Sequence, residues 1–147
     1  MEKIYIGADH AGKNLLCEIK KYLISLNYEV QEVVTDDDKD DYPDIARTLA
    51  NLVVKNNAKG IAVCGTGIGI SIACNKVKKI RASICYDEFT TEMAVKHNNL
   101  NILCFGERTE VGRDLDKVKK LIDIYLNTEF EGGKHQRRID LIDRIGE

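Results

Sequence analysis

No stretch of the 147-residue sequence approaches the roughly 18 consecutive apolar residues that a membrane span requires. The opening MEKIYIGADH also lacks a basic segment followed by a long apolar run, so the sequence predicts a cytosolic protein without membrane contacts. Charge of one sign is missing as well. The 22 Lys and Arg against 24 Asp and Glu leave a formal net charge of −2, which argues against nucleic acid as a partner. The five cysteines, at 17, 64, 74, 85 and 104, are an odd number with no CxxC pair and no metal-type spacing. A disulfide framework is therefore disfavoured, and Cys17, Cys74, Cys85 and Cys104 read as small buried hydrophobes. With 44% hydrophobic content, the length suits a single domain over residues 1–147 with a real core and is too short for two ordinary ones.

What is present is an alternation. Short apolar, strand-like runs fall at about 3–8, 28–34, 60–64, 81–86 and 101–105. Between them, Leu15, Ile19, Tyr22, Leu23 and Leu26 recur at helical spacing, as do Ile45, Leu49, Leu52 and Val53, and later Leu115, Val118, Ile122 and Tyr125. The single proline, Pro43, stands where the second helical pattern starts and its missing N–H costs nothing. The fold class expected is α/β, a Rossmann-like three-layer αβα sandwich on a five-stranded parallel sheet. Gly132 and Gly133 then break the chain before an extra C-terminal helix over about 135–146, carrying Ile139, Ile142 and Ile145 and available to pack on a partner subunit. The acidic run TDDDKDD at 35–41 reads as a solvated loop.

In such folds the chemistry lies at the carboxyl ends of the strands. The residues there are Asp9 and His10, Cys64 with its glycines, Asp87, and Gly106 to Arg108. The stretch CGTGIGI departs from both G-x-G-x-x-G and the P-loop, yet alternating glycines after a strand let successive N–H groups converge on an anion. The same field favours a thiolate, which leaves Cys64 either a reactive base or nucleophile or an inert buried thiol. Thiolate and amide nest together suit aldose–ketose isomerisation, where a base moves a proton next to a carbonyl and fixed donors hold the enediolate. A cyclic sugar phosphate would further need a ring-opening group, for which His97 is available, and groups for the phosphate, for which His10, Arg108, Lys134 and Arg138 are available.

Six stretches, GADHAG at 7–12, DYPD at 41–44, CGTGIGISIACNK at 64–76, HNNLNIL at 97–103, FGER at 105–108 and EGGKHQRR at 131–138, together resemble the type B ribose 5-phosphate isomerases. That group includes isomerases of galactose 6-phosphate and allose 6-phosphate. The resemblance implies that Cys64 shuttles the proton between C1 and C2 and that Gly65, Thr66, Gly67, Ile68 and Gly69 hold the enediolate, with Thr66 part of the catalytic set. It implies that His97 opens the furanose ring and that Asp9 and Asn98 contact sugar hydroxyls. His10, Arg108, Lys134 and Arg138 would surround the phosphate, with Lys134 where arginine is usual and a point charge replacing a planar fork. No cofactor and no metal is implied, and a set of His10, Cys64 and His97 is a weak ligand group. His97 precedes the fifth strand, at the opposite edge from the strands' carboxyl ends. That placement and the resemblance together imply a homodimer with shared active sites, or a tetramer, in which His97, Asn98 and Arg108 come from the neighbouring subunit. The alternatives are an isomerase of a six-carbon sugar phosphate and, from another class, a flavodoxin-like or receiver-like binding module. A receiver would need paired acids after the first strand and a lysine ending the fifth, where Asp9 stands alone and Glu107 and Arg108 follow.

Overall fold

The computed structural model describes residues 2–35 and 41–147, so most of the acidic run at 35–41 lies outside the described residues. The strands are β1 (Lys3–Ala8), β2 (Glu29–Glu32), β3 (Lys59–Cys64), β4 (Ala82–Ile84) and β5 (Ile102–Gly106). The helices are α1 (Lys13–Ser25), α2 (Tyr42–Asn56), α3 (Ile68–Cys74), α4 (Glu88–Asn98), α5 (Leu115–Asn127) and α6 (Lys134–Asp143). Every strand pairing is parallel, in the order β2-β1-β3-β5-β4. The order reverses direction between β1 and β3, so the loops leaving these two strands part and open a crevice at their carboxyl ends.

The two-residue period of the strands sorts the core into two layers. Ile4, Ile6, Ile61, Val63, Leu103 and Phe105 face α1, α4 and α5, where Ile19, Leu23, Val95, Leu121, Ile122 and Tyr125 cover them. Tyr5, Ala62, Cys64, Ile102 and Cys104 face α2 and α3, and meet Ile45, Leu49, Val53, Ile70 and Cys74. The three-layer αβα sandwich expected from the alternation is the architecture found. Pro43 occupies the first turn of α2, as its position in the pattern suggested.

The edges depart from expectation. β4 keeps three half-buried residues because its outer flank has no strand partner, and the Arg81 N–H before it turns to the Asn101 side chain at 2.7 Å. β2 ends at Glu32, although the Val33 N–H still donates to the Ile6 carbonyl at 2.8 Å. Cys17 is exposed, not buried, because Leu15, Leu16, Ile19 and Leu23 take the inward face of α1. The C-terminal helix spans Lys134–Asp143, of which Ile139 is buried while Ile142 and Ile145 are exposed.

Candidate active site

At the carboxyl edge of the sheet, the end of β3 is locked between the turns that follow β1 and β5. The Asp9 N–H donates to the Val63 carbonyl at 3.3 Å, and its buried carboxylate accepts the Ala11 N–H at 3.0 Å. A Cβ on Gly12 would stand 2.7 Å from the Val63 carbonyl oxygen, so only glycine lets the start of α1 lie this close to β3. On the other side, the Glu107 N–H donates to the Cys64 carbonyl at 2.9 Å and the Arg108 N–H to the Gly65 carbonyl at 3.0 Å. His10 is left exposed at the tip of the first turn.

The Cys64 thiol is 4% exposed and accepts a hydrogen bond from the Gly67 N–H, with nitrogen 3.2 Å from Sγ. Gly67 reaches that position at φ +81°, a left-handed conformation in which a Cβ would also come within 2.9 Å of the Phe105 carbonyl carbon. The Ile68 N–H donates to Thr66 Oγ1 at 3.2 Å, which leaves the exposed Thr66 hydroxyl free to turn its own proton outward. Two amides that the loop was expected to offer an enediolate are therefore engaged, one of them by the sulfur itself. The first-turn amides of α3 at Gly69 and Ile70 have no intrahelical acceptor. The other cysteines near the sheet are held as neutral thiols. Burial raises Cys74 to about 12 and Cys85 to about 11, and pushes Cys104 well above its ordinary value.

At the amino edge a second group gathers. The last turn of α4 carries His97 and Asn98, and the Glu131 N–H donates to the Lys96 carbonyl at 3.1 Å, tying the approach to α6 against that turn. His97 Nε2 lies 3.4 Å from Glu131 Oε1, and the His97 and His135 rings stack at 4.2 Å and 11°. His135 is the second residue of α6 and partners His97. Its imidazole is held below its ordinary pKa, first by partial desolvation and then by the charge on His97, against the pull of Glu131. Lys134 and Arg138 are exposed along α6.

The two groups do not meet within one chain. The Gly60 N–H donates to the Asn101 carbonyl at 2.8 Å, which sets the end of α4 beside the start of β3. Cys64 lies four residues further on, about 13 Å along the strand at ~3.3 Å per residue. His10, Cys64 and His97 are thus no ligand set. Arg108 corrects an expectation: instead of siding with His97 and Asn98, it lies at the Cys64 edge of its own chain. Its guanidinium comes within 3.6 Å of where a Gly65 Cβ would be. Asp87, at the end of the β4 region, caps α4 by accepting the Thr90 N–H at 2.7 Å, and the Thr90 bonds hold its carboxyl below the ordinary range.

The sequence profile of the ribose/galactose isomerase family matches residues 4–142. The chain belongs to that family. It is 40% identical to ribose-5-phosphate isomerase B of Escherichia coli over 147 residues, covering 99% of this chain and 97% of that protein. A probable ribose-5-phosphate isomerase B of Mycoplasma genitalium is 41% identical over 145 residues, 96% of this chain and 93% of that one. Among solved structures, ribose-5-phosphate isomerase B of Clostridium thermocellum superposes with a TM-score of 0.90 at 42% identity, covering 97% and 96% of the two chains. The Mycoplasma genitalium enzyme with bound ribulose-5-phosphate gives 0.87 at 39% identity, covering 97% and 94%.

Three contacts in this family member lie beyond what the sequence shows. Glu107 accepts the Leu15 N–H at 2.6 Å, so its carboxylate caps α1 and fixes the β5 turn against the β1 turn. Tyr42 lays its ring over Gly69, where a Cβ would come within 2.8 Å of two ring carbons. Glu131 holds His97. All three residues stand inside the stretches DYPD, FGER and EGGKHQRR, but nothing in their spacing shows what they face.

Proposed function

We propose that this chain interconverts ribose 5-phosphate and ribulose 5-phosphate through an enediolate, working as a homodimer with shared active sites. The observation that carries the reading is the Gly67 N–H on Cys64 Sγ. The bond fixes the aim of the sulfur, and a cysteine base beside amide donors stands where a proton is taken and negative charge develops. Support also comes from the likeness to the Mycoplasma genitalium structure that carries ribulose-5-phosphate.

Cys64 removes the proton from C2 of the open-chain aldose and returns it to C1. Charge that builds on the two oxygens is met by the Gly69 and Ile70 amides and the Thr66 hydroxyl. Asp9 and Asn98 receive sugar hydroxyls. His97 transfers the proton that opens the furanose ring. His10 and Arg108 of one subunit and Lys134 and Arg138 of the other enclose the phosphate. The sharing follows from the separation of the two edges, because a twofold axis can bring the amino edge of one copy over the carboxyl edge of the other. Exposed apolar side chains are available for such an interface: Ile68 and Ile72 on α3, Tyr86 and Phe89 before and on α4, and Leu141 and Ile142 on α6.

The test is a substrate panel of ribose 5-phosphate, allose 6-phosphate and galactose 6-phosphate on one purified sample without added metal. Ribose 5-phosphate should show the highest kcat/KM. A clear preference for a six-carbon sugar phosphate would overturn the assignment.

A further inference from the structure

Three groups at the amino edge form a geometry that sugar isomerisation does not require. His97 Nε2 and Glu131 Oε1 are 3.4 Å apart, and one ligand atom from each of His97, Glu131 and His135 lies within 4.8 Å of the other two. Bonds of about 2.1 Å to a tetrahedral zinc ion place neighbouring ligand atoms roughly 3.4 Å apart. The first pair already has that spacing, and His135 closes the triangle when its half-buried ring leaves the stack on His97 and turns a nitrogen inward.

The scaffold behind the triangle is ordered. His97 sits in the last turn of α4, and Glu131 is tied to that turn by its N–H bond to the Lys96 carbonyl. Gly132 and Gly133, at φ +70° and +56°, then bend the chain so that His135 returns to the same spot, and the His135 N–H donates to the Gly132 carbonyl at 3.1 Å. Side chains at either glycine would be strained in this conformation. Two imidazoles and one carboxylate are the donor set of many zinc sites that keep a fourth position open.

We propose that His97, Glu131 and His135 form a binding site for zinc or a similar borderline divalent ion, and that metal bound there takes His97 out of the catalytic cycle. The second half rests on the ring-opening role given to His97 above. In the metal-free state the two rings stack and Glu131 Oε1 lies 3.4 Å from His97 Nε2. On binding, each imidazole turns a nitrogen lone pair to the ion in place of those contacts. Lys134 and Arg138 on the same helix oppose a bare cation, so the site is weaker than a structural zinc centre and responds to free metal.

The test separates metal binding from thiol chemistry by using Cys64→Ala protein. Titrated with zinc chloride by calorimetry, it should bind one ion per chain, and cobalt(II) should give the intense visible bands of a four-coordinate site. His135→Ala in the same background should weaken zinc at least tenfold, and Glu131→Gln should weaken it by a smaller factor. Loss of zinc binding on Cys64→Ala alone would place the ion on the thiol and overturn the proposal, as would equal affinity with and without the His135 imidazole. In the wild-type enzyme, zinc should slow ribose 5-phosphate turnover and a chelator should restore it, with more zinc needed in Glu131→Gln, each rate taken relative to that variant's own metal-free rate. Zinc bound at His135 with turnover untouched would uphold the site and remove the ring-opening role of His97 instead.

Discussion

At the carboxyl edge of the sheet Cys64 and Asp9 are almost wholly buried and pinned by backbone N–H groups, whereas at the amino edge Asn98, Lys134 and Arg138 are exposed on helix ends. A strand terminus between two neighbours is held from both sides, so the thiol it carries has one direction of aim. The last turn of α4 and the first of α6 meet through Glu131 and the stacked imidazoles. The difference matches the role proposed for each edge. Proton transfer tolerates little misplacement, while long cationic side chains can close on a phosphate after it arrives. The proposed pairing of two copies would join the two edges, since the exposed edge offers charge and a histidine and the buried edge a thiol.

The sharpest break between the edges should come from Cys64→Ala. Turnover should fall about a thousandfold or more while circular dichroism and the melting temperature stay near wild type, because the proton has no other acceptor. Near-normal activity would strip the carboxyl edge of its role. His97→Asn should act more selectively. Turnover of the furanose substrate should drop about a hundredfold, with a much smaller loss on a four-carbon sugar phosphate that cannot cyclise. Equal losses on both substrates would move His97 into the proton transfer itself.

A third comparison lies among the cysteines. The folded protein keeps Cys85 protonated to about 11 and Cys74 to about 12, against an ordinary 9.0. Between these values the unfolded chain has lost protons that the folded chain retains, so stability falls as pH rises. The unfolding free energy from urea titration should be independent of these thiols below pH ~8 and should decline from pH ~9 towards 11, by up to about 1.4 kcal/mol per pH unit for each thiol, with the midpoint falling in step. Replacing either cysteine with alanine should flatten the decline. A midpoint that stays level to pH ~11 would show that the thiols are not held neutral by burial. The smallest effect should be Lys134→Arg. A planar guanidinium in place of an ammonium should lower KM a few-fold or leave it level, with kcat little changed.

Much of this was legible before the fold was described. The strand ends were visible because the apolar runs stop at Asp9, Cys64 and Gly106, and the α/β order follows from the alternating periods. The Arg108 placement was not, because its direction depends on the hydrogen bonds that carry β3 and β5 past their ends, a pairing between residues more than forty positions apart. Cys17 was misread for a local reason: α1 has an apolar face slightly wider than the strict i, i+4 stripe, and Leu16 occupies the inward place. Glu107 and Glu131 act through single contacts with distant segments, which composition and spacing do not encode.

Shared sites between two copies are tested most directly by mixing Cys64→Ala and His97→Asn subunits, each inactive alone, and letting them exchange. A heterodimer would then own one site with both lesions and one with neither. About half the wild-type activity per heterodimer should return. If mass measurement confirms exchange and the mixture remains inactive, each chain must complete its site alone, and the pairing of the two edges across a twofold axis is wrong.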